Sequence, residues 1–193
     1  MKDLSEGAAA SDVRRLSNLL FQIRGCPKPV IAKINGAASG AGVALAVACD
    51  MAVAHDEAQF SLPAVRLGNI PAVIAPFVIE AMGMHQARRY LLTGETFTAL
   101  EARRLGVVHA VAAPPQLHAT VDAMIDELLK GGPSAIAETK MLITRFGDLP
   151  PSERLLDAAA KESARVRRTD EAREGLAAFI EKRPPNWRRT EDT

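Results

Sequence analysis

The groups in this chain best placed for chemistry are backbone amides rather than acids or bases. In Lys33-Ile34-Asn35-Gly36-Ala37-Ala38-Ser39-Gly40-Ala41-Gly42 an apolar strand runs into a turn. Small residues then open a further apolar segment over 43–49. The first N–H groups of a helix have no partner within it, and they carry the positive end of the helix dipole. Side chains as small as Gly and Ala let a ligand approach that backbone closely. The pattern predicts a main-chain anion or oxyanion site, although a Gly-rich strand-to-helix turn also serves tight packing alone.

The polar side chains give weaker signals. His55-Asp56-Glu57 has the residue types of an acid–base or metal group, but between two short apolar runs it reads as a solvated turn. His85 opens a helical stretch and His109 lies in an apolar one, with no nucleophile at a suggestive spacing to either. Ser39 would serve a serine hydrolase only in a G-x-S-x-G elbow, and the residues present are Ala37-Ala38-Ser39-Gly40-Ala41. Cys26 and Cys49 are too few for a disulfide framework, and no Cys/His spacing reads as a zinc site.

The elements that must hold the Gly-rich turn follow from periodicity. Val13, Leu16, Leu19, Leu20 and Ile23 recur at helical spacing, with Ser11 as N-cap and Gly25 and Pro27 as stops. Residues 29–34 predict a strand covered on both faces. Residues 43–49, apolar all round, predict a buried helix. Short strands are expected over 51–54, 58–62 and 107–111. Helices are expected over 73–82 and 85–92, stopped by Gly83 and Gly94, and over 98–105 behind the capping box Thr98-Ala99-Leu100-Glu101. Three more should run over 116–130, 134–146 and 152–181, with a potential break near Thr169-Asp170-Glu171. The order is α/β at the front and all-α at the back. The long C-terminal arm suggests packing on another subunit or folding back over the core.

Composition excludes several classes. The 193 residues carry 24 Lys+Arg against 23 Asp+Glu, a net charge of +1. That balance lacks the basic excess of a nucleic-acid binder or of a polybasic membrane patch. The longest apolar run, 41–49, is far short of the roughly 20 residues of a membrane span. The start Met1-Lys2-Asp3-Leu4-Ser5-Glu6 has no apolar signal core, so a reducing, cytoplasmic setting is expected.

The run from Pro27-Lys28-Pro29-Val30-Ile31-Ala32 through Asn35-Gly36-Ala37-Ala38-Ser39-Gly40-Ala41-Gly42 to Cys49-Asp50 resembles the enoyl-CoA hydratase/isomerase (crotonase) family, with its KPVIAxVNGxAxGGGxxLAxxCD pattern. Ala58-Gln59-Phe60-Ser61-Leu62-Pro63-Ala64, continuing to Gly68 and Pro71, is similar to the family's AxFxxPExxxGxxP run. Leu92-Thr93-Gly94-Glu95, Ala102-Arg103-Arg104-Leu105-Gly106-Val107-Val108 and the tail 174–183 also match, so the resemblance spans nearly the whole chain. Residues 70–78 are locally similar to the methylglutaconyl- and isohexenylglutaconyl-type hydratase branch.

The resemblance implies an α/β crotonase-type spiral of short strands and helices, with a C-terminal helical trimerisation region. It divides the chain into a partial core over 1–112 and a helical region over 113–193. It implies an acyl-CoA thioester as partner and a homo-oligomer, trimer or hexamer. No cofactor is implied beyond coenzyme A as part of the substrate, and no metal. In the family an enolate oxygen sits between two backbone N–H donors. One falls here on Ala41, beside Gly40; the other comes from an earlier AGAD turn. The chain is expected to begin just after that turn, without the family's first strands, leaving an unpaired sheet edge. The family's two catalytic glutamates fall on Ala44 and Ala64, neither of which can transfer a proton. Gly42, Pro63, Arg66, Phe179 and Lys182 fall on substrate-contact positions. Glu80 falls on the pocket-side helix, as a replacement carboxylate or a solvated helix residue. The leading expectation is an acyl-CoA-binding hydratase/isomerase-type protein. The alternative is an inactive crotonase-like subunit acting through assembly or ligand binding.

Overall fold

A computed structural model describes residues 6–147 and 149–188. The chain folds as two compact units, one of residues up to 26 and 30–122, the other of 27–29 and 123 onward.

The first unit is α/β. Helix α1 (Glu6–Gly25) leads to strand β1 (Ile31–Ile34), the two-residue strand β2 (Ala38–Ser39), helix α2 (Ala41–Ala48), β3 (Met51–His55) and β4 (Gln59–Ser61). A 3-10 turn (Pro63–Leu67) precedes α3 (Ala75–Thr93), β5 (Thr96–Thr98), α4 (Ala99–Arg104), β6 (Ala110–Ala112) and the start of α5 (Pro114–Leu129). Two three-stranded sheets result. One is parallel, β1-β3-β6; the other, β2-β4-β5, pairs β2 with β4 in parallel and β4 with β5 antiparallel.

Helix α2 is the centre of this unit. Val43, Ala44, Ala46 and Ala48 are buried in it, and Val43, Ala44 and Ala48 join Leu20, Ala52, Phe60, Val78 and Tyr90 in one core. Ala41 is exposed and Gly42, Leu45 and Val47 are half-buried, so the all-round apolar pattern is matched by burial of one side only. The Asp50 carboxylate accepts the Val30 N–H at 2.7 Å, and the Asp50 N–H donates back to the Val30 carbonyl at 2.9 Å. This clasp sets β1 beside β3 in the register Ile31↔Met51.

Several boundaries differ from the sequence reading, each for a local reason. Helix α1 starts at Glu6, five residues before the expected cap. Ala8, Ala9 and Ala10 are strong helix formers, and Ser11 lies inside the helix, its hydroxyl accepting from Arg15 at 3.2 Å. The expected helices 73–82 and 85–92 are the two arms of α3, which part at Gly83, where a φ of 73° and ψ of 154° interrupt the helical backbone. The last strand is Ala110–Ala112 rather than 107–111. His109 extends that pairing differently: its N–H donates to the Ala52 carbonyl at 2.8 Å, while its Nδ1 accepts the Ala52 N–H at 3.1 Å.

The second unit is helical: the end of α5, then α6 (Pro133–Phe146), α7 (Glu153–Val166) and α8 (Asp170–Ile180). The arm 152–181 breaks where expected. The Thr169 hydroxyl caps α8 by accepting the Ala172 N–H at 3.2 Å. Lys140 is buried, its ammonium donating to the Lys28 carbonyl at 3.2 Å.

Candidate active site

Gly40 makes the turn that opens α2. Its φ of 52° and ψ of −106° form a conformation that L side chains rarely adopt. A Cβ built there would meet nothing within 4 Å, so the need for glycine is one of backbone, not of space. The Gly40 N–H donates to the Ser61 carbonyl at 2.9 Å, and the Gly40 carbonyl accepts the Ala44 N–H at 3.2 Å. With Gly40 spent on these bonds, the amides of Ala41 and Gly42 are the leading donors of α2, with no helical carbonyl ahead of them. Ala41 is exposed and Gly42 half-buried. The positive φ falls on Gly40 and not on Ala41, so alanine at 41 carries no backbone strain.

The Gly40–Ser61 bond joins the turn to the end of β4. Ser39 and Ser61 stand in register, and the Ser61 hydroxyl donates to the Ser39 hydroxyl at 3.0 Å. The chain then passes directly into the 3-10 turn bearing Pro63, Ala64 and Arg66. Pro63 and Ala64 are half-buried. Arg66 Nε donates to the Thr93 carbonyl at 2.9 Å, closing the C-terminal end of α3. Ala44 is 0% exposed, so position 44 is a methyl group inside the core.

The remaining candidates lie elsewhere. Arg24 grips the Glu80 carboxylate with both nitrogens at 2.7 and 2.5 Å, tying α1 to α3. His55 Nδ1 accepts the Glu57 N–H at 3.0 Å within its turn. His85 is exposed on α3. Cys26 and Cys49 form no disulfide. Phe179 and Lys182 belong to the second unit. Phe179 is 82% exposed on α8, and Lys182, just past that helix, has φ 55°. Lys182 lines a cleft of about 1360 Å³ together with Lys130, Arg183, Trp187 and Arg188.

Sequence reasoning missed the Ser39–Ser61 pair, because pairing two- and three-residue strands 22 positions apart leaves no local signal. It also missed Asp50 as a clasp, although an acid at the end of an apolar helix was visible.

The model of the enoyl-CoA hydratase/isomerase family matches residues 2–190. This chain belongs to that family. It is similar to the crystal structure of an enoyl-CoA hydratase from Shewanella pealeana, with TM-score 0.90 and 38% identity, covering 95% of this chain and 69% of that one. An enoyl-CoA hydratase/isomerase from Marinobacter aquaeolei gives TM-score 0.85 and 39% identity, covering 92% and 67%. The carnitinyl-CoA dehydratase of Salmonella arizonae is 32% identical over 173 residues, covering 83% of this chain and 63% of that relative. The chain spans about two thirds of the length of the curated relatives it matches. The crotonase-type α/β fold follows from these likenesses and from the element order. Among the described residues no helix is long and apolar enough to cross a membrane.

Proposed function

We propose that this chain binds acyl-CoA thioesters, the thioester oxygen accepting a hydrogen bond from the Ala41 N–H at the start of α2. Family membership supports a CoA thioester as the ligand class. The observation that carries the reading is the Gly40 turn. It consumes its own amide on Ser61 and leaves the Ala41 amide leading a helix, where dipole and donor both favour a developing oxyanion. Within the second unit, Lys182 lines a cleft of mixed charge with Lys130, Arg183 and Arg188 beside Asp126 and Glu127, which we read as a separate candidate phosphate contact. No metal or redox group enters this reading, and coenzyme A enters as part of the substrate.

The test uses Ala41→Pro. Proline suits the first position of a helix and lacks the N–H, so the proposed donor goes while α2 stays. Wild type is expected to bind acetyl-CoA more tightly than its thioether analogue, which has a methylene in place of the carbonyl. Ala41→Pro should abolish that preference and lower any turnover about 10²–10³-fold. Equal wild-type binding of thioester and thioether refutes the reading whether or not the variant folds.

A second reading is that of an inactive subunit acting through homo-oligomeric assembly, as a trimer or hexamer, or through ligand binding. Ala44 and Ala64 favour it, since hydration by two carboxylates is closed to this chain. The exposed Leu176, Phe179 and Ile180 of α8 also favour it, as an apolar surface suited to association. Wild-type turnover of crotonyl-CoA or a 3-methylglutaconyl-CoA analogue would sink this reading. Hydration gained only in Ala44→Glu/Ala64→Glu would support it.

A further inference from the structure

The first unit brings a lysine, a histidine and an aspartate together on its surface. Strand β1 reads Ile31-Ala32-Lys33-Ile34, and Lys33 is its one exposed position. Helix α5 buries Leu117 and Val121. His118 and Asp122 each follow one of these by a single position, so they share the adjoining strip of the helix at a spacing of one turn. The Lys33 Nζ lies 3.5 Å from the His118 Nδ1, and the His118 Nε2 lies 3.7 Å from an Asp122 carboxylate oxygen. A lysine ammonium donates and cannot accept. His118 Nδ1 is therefore the accepting nitrogen, and the ring carries its proton on Nε2, toward Asp122. An ammonium has no lone pair and becomes a nucleophile only by giving up a proton. At Lys33 an acceptor for that proton is in place, and the imidazolium it would form faces a carboxylate. This is the arrangement of a nucleophile, a base and a group that orients the base. The His118 and Asp122 side chains are 76% and 52% exposed, so an electrophile reaches Lys33 directly from solvent.

We propose that Lys33 is a self-acylation site, taking the acyl group of a short-chain acyl thioester with His118 as proton acceptor and Asp122 as its positioning residue. The ammonium passes one proton to His118 Nδ1. The free amine attacks the thioester carbonyl carbon, so a nitrogen–carbon bond forms and the carbon–sulfur bond breaks. The sulfur leaves with its bonding electrons and takes a second proton from the nitrogen, becoming a thiol. His118 then returns its proton to solvent. Each amide formed releases one thiol and one proton, and no oxidant or reductant is required. The product amide is neutral, so acylation removes one positive charge from this face. The step uses no part of the turn that opens α2 and goes beyond the acyl-CoA binding proposed above.

The test incubates the full chain with S-acetyl-N-acetylcysteamine, a thioester without the nucleotide part of coenzyme A, and follows acetylation of each lysine by peptide mass spectrometry. Lys161 is the comparison, exposed on α7, a helix without histidine. Proton transfer to a positioned base typically contributes about 10²–10⁴-fold; with all three side chains open to water, Lys33 is expected to react about 10-fold faster than Lys161. His118→Ala should bring Lys33 down to the rate of Lys161, and added imidazole should restore part of the difference. Asp122→Asn should lose part of the advantage while Asp122→Glu keeps it, which a role in packing alone would not produce. Equal rates at Lys33 and Lys161 in the wild type overturn the proposal whatever the variants do. An unchanged Lys33 rate in a folded His118→Ala protein overturns it as well.

Discussion

Gly40 and Lys182 both hold positive φ, at 52° and 55°, and substitution at each should act in an opposite direction. At Gly40 the ψ of −106° lies outside the left-handed well that other residues can occupy. Gly40→Ala is therefore expected to cost about 1–3 kcal/mol, although space for the methyl group exists. Urea unfolding measures the loss, and weakened acyl-CoA binding should accompany it, because the turn that aims the Ala41 amide must shift. Lys182 lies in the left-handed region, which costs a non-glycine residue about 1–2 kcal/mol. Glycine there relieves the strain but loosens the unfolded chain by about 0.4–1 kcal/mol. Lys182→Gly should thus stabilise the protein by about 0.5–1 kcal/mol, the balance of these two effects. It should also weaken binding of a CoA thioester relative to a pantetheine thioester without the nucleotide phosphates. Unchanged discrimination between the two ligands would rule Lys182 out as a phosphate contact.

Helix α6 shows what an element borrows from outside its own sequence. Its N-cap is Gly132, which offers no side chain. The amides of Ser134 and Ala135 instead donate to the Glu171 carboxylate of α8 at 3.0 and 2.7 Å. Glu171→Ala should cost about 1 kcal/mol, the usual loss of a helix cap, read as a lower urea midpoint with unchanged slope. Glu171→Gln should retain part of it, since its amide oxygen still accepts. The contrast with α4 and α8 explains which elements were legible. Thr98 and Thr169 cap their own helices from three residues away, and such spacing is written in the sequence. The apolar patterns of β1, α2, β3 and β4 were equally local, and each lies where it was expected. Strands β2 and β5 were not legible. Two and three residues carry no period, and they exist only through pairing with β4. In the site, the resemblance located the Gly40–Ala41 turn and the two alanines in place of acids. The Ser61 carbonyl that anchors the turn belongs to tertiary pairing and could not be read.

Across the described residues, acidic groups settled by fixed partners give stability a common dependence on pH. Glu95 is held below the ordinary carboxylate range by Arg89, Glu162 by Arg165 and Glu174 by Arg183. At Glu171 partial burial opposes the charge, but the Ser134 and Ala135 amides prevail and the direction is again downward. Glu101 moves furthest, to about 2. Arg104 grips its carboxylate at 2.7 Å through Nε, and the buried Tyr90 hydroxyl donates to it at 3.0 Å, so the group locks α4 to α3. When a folded-state carboxyl is depressed, the unfolded chain binds its proton first. Stability is then full above the ordinary value near 4.5 and is lost as pH falls toward the folded value near 2. Melting temperature should therefore be flat from neutrality down to about pH 5 and decline steeply below it. Glu101→Gln should melt lower than wild type at pH 7, because neutral glutamine cannot replace the charge-assisted bond to Arg104. Its melting curve should also fall less steeply on acidification, since one proton-binding difference is gone. The gap between the two proteins should narrow through the window from 4.5 to 2 and nearly close at its lower end. A constant gap across that window would mean that Glu101 acts through packing alone and that the charge of the clamp contributes nothing.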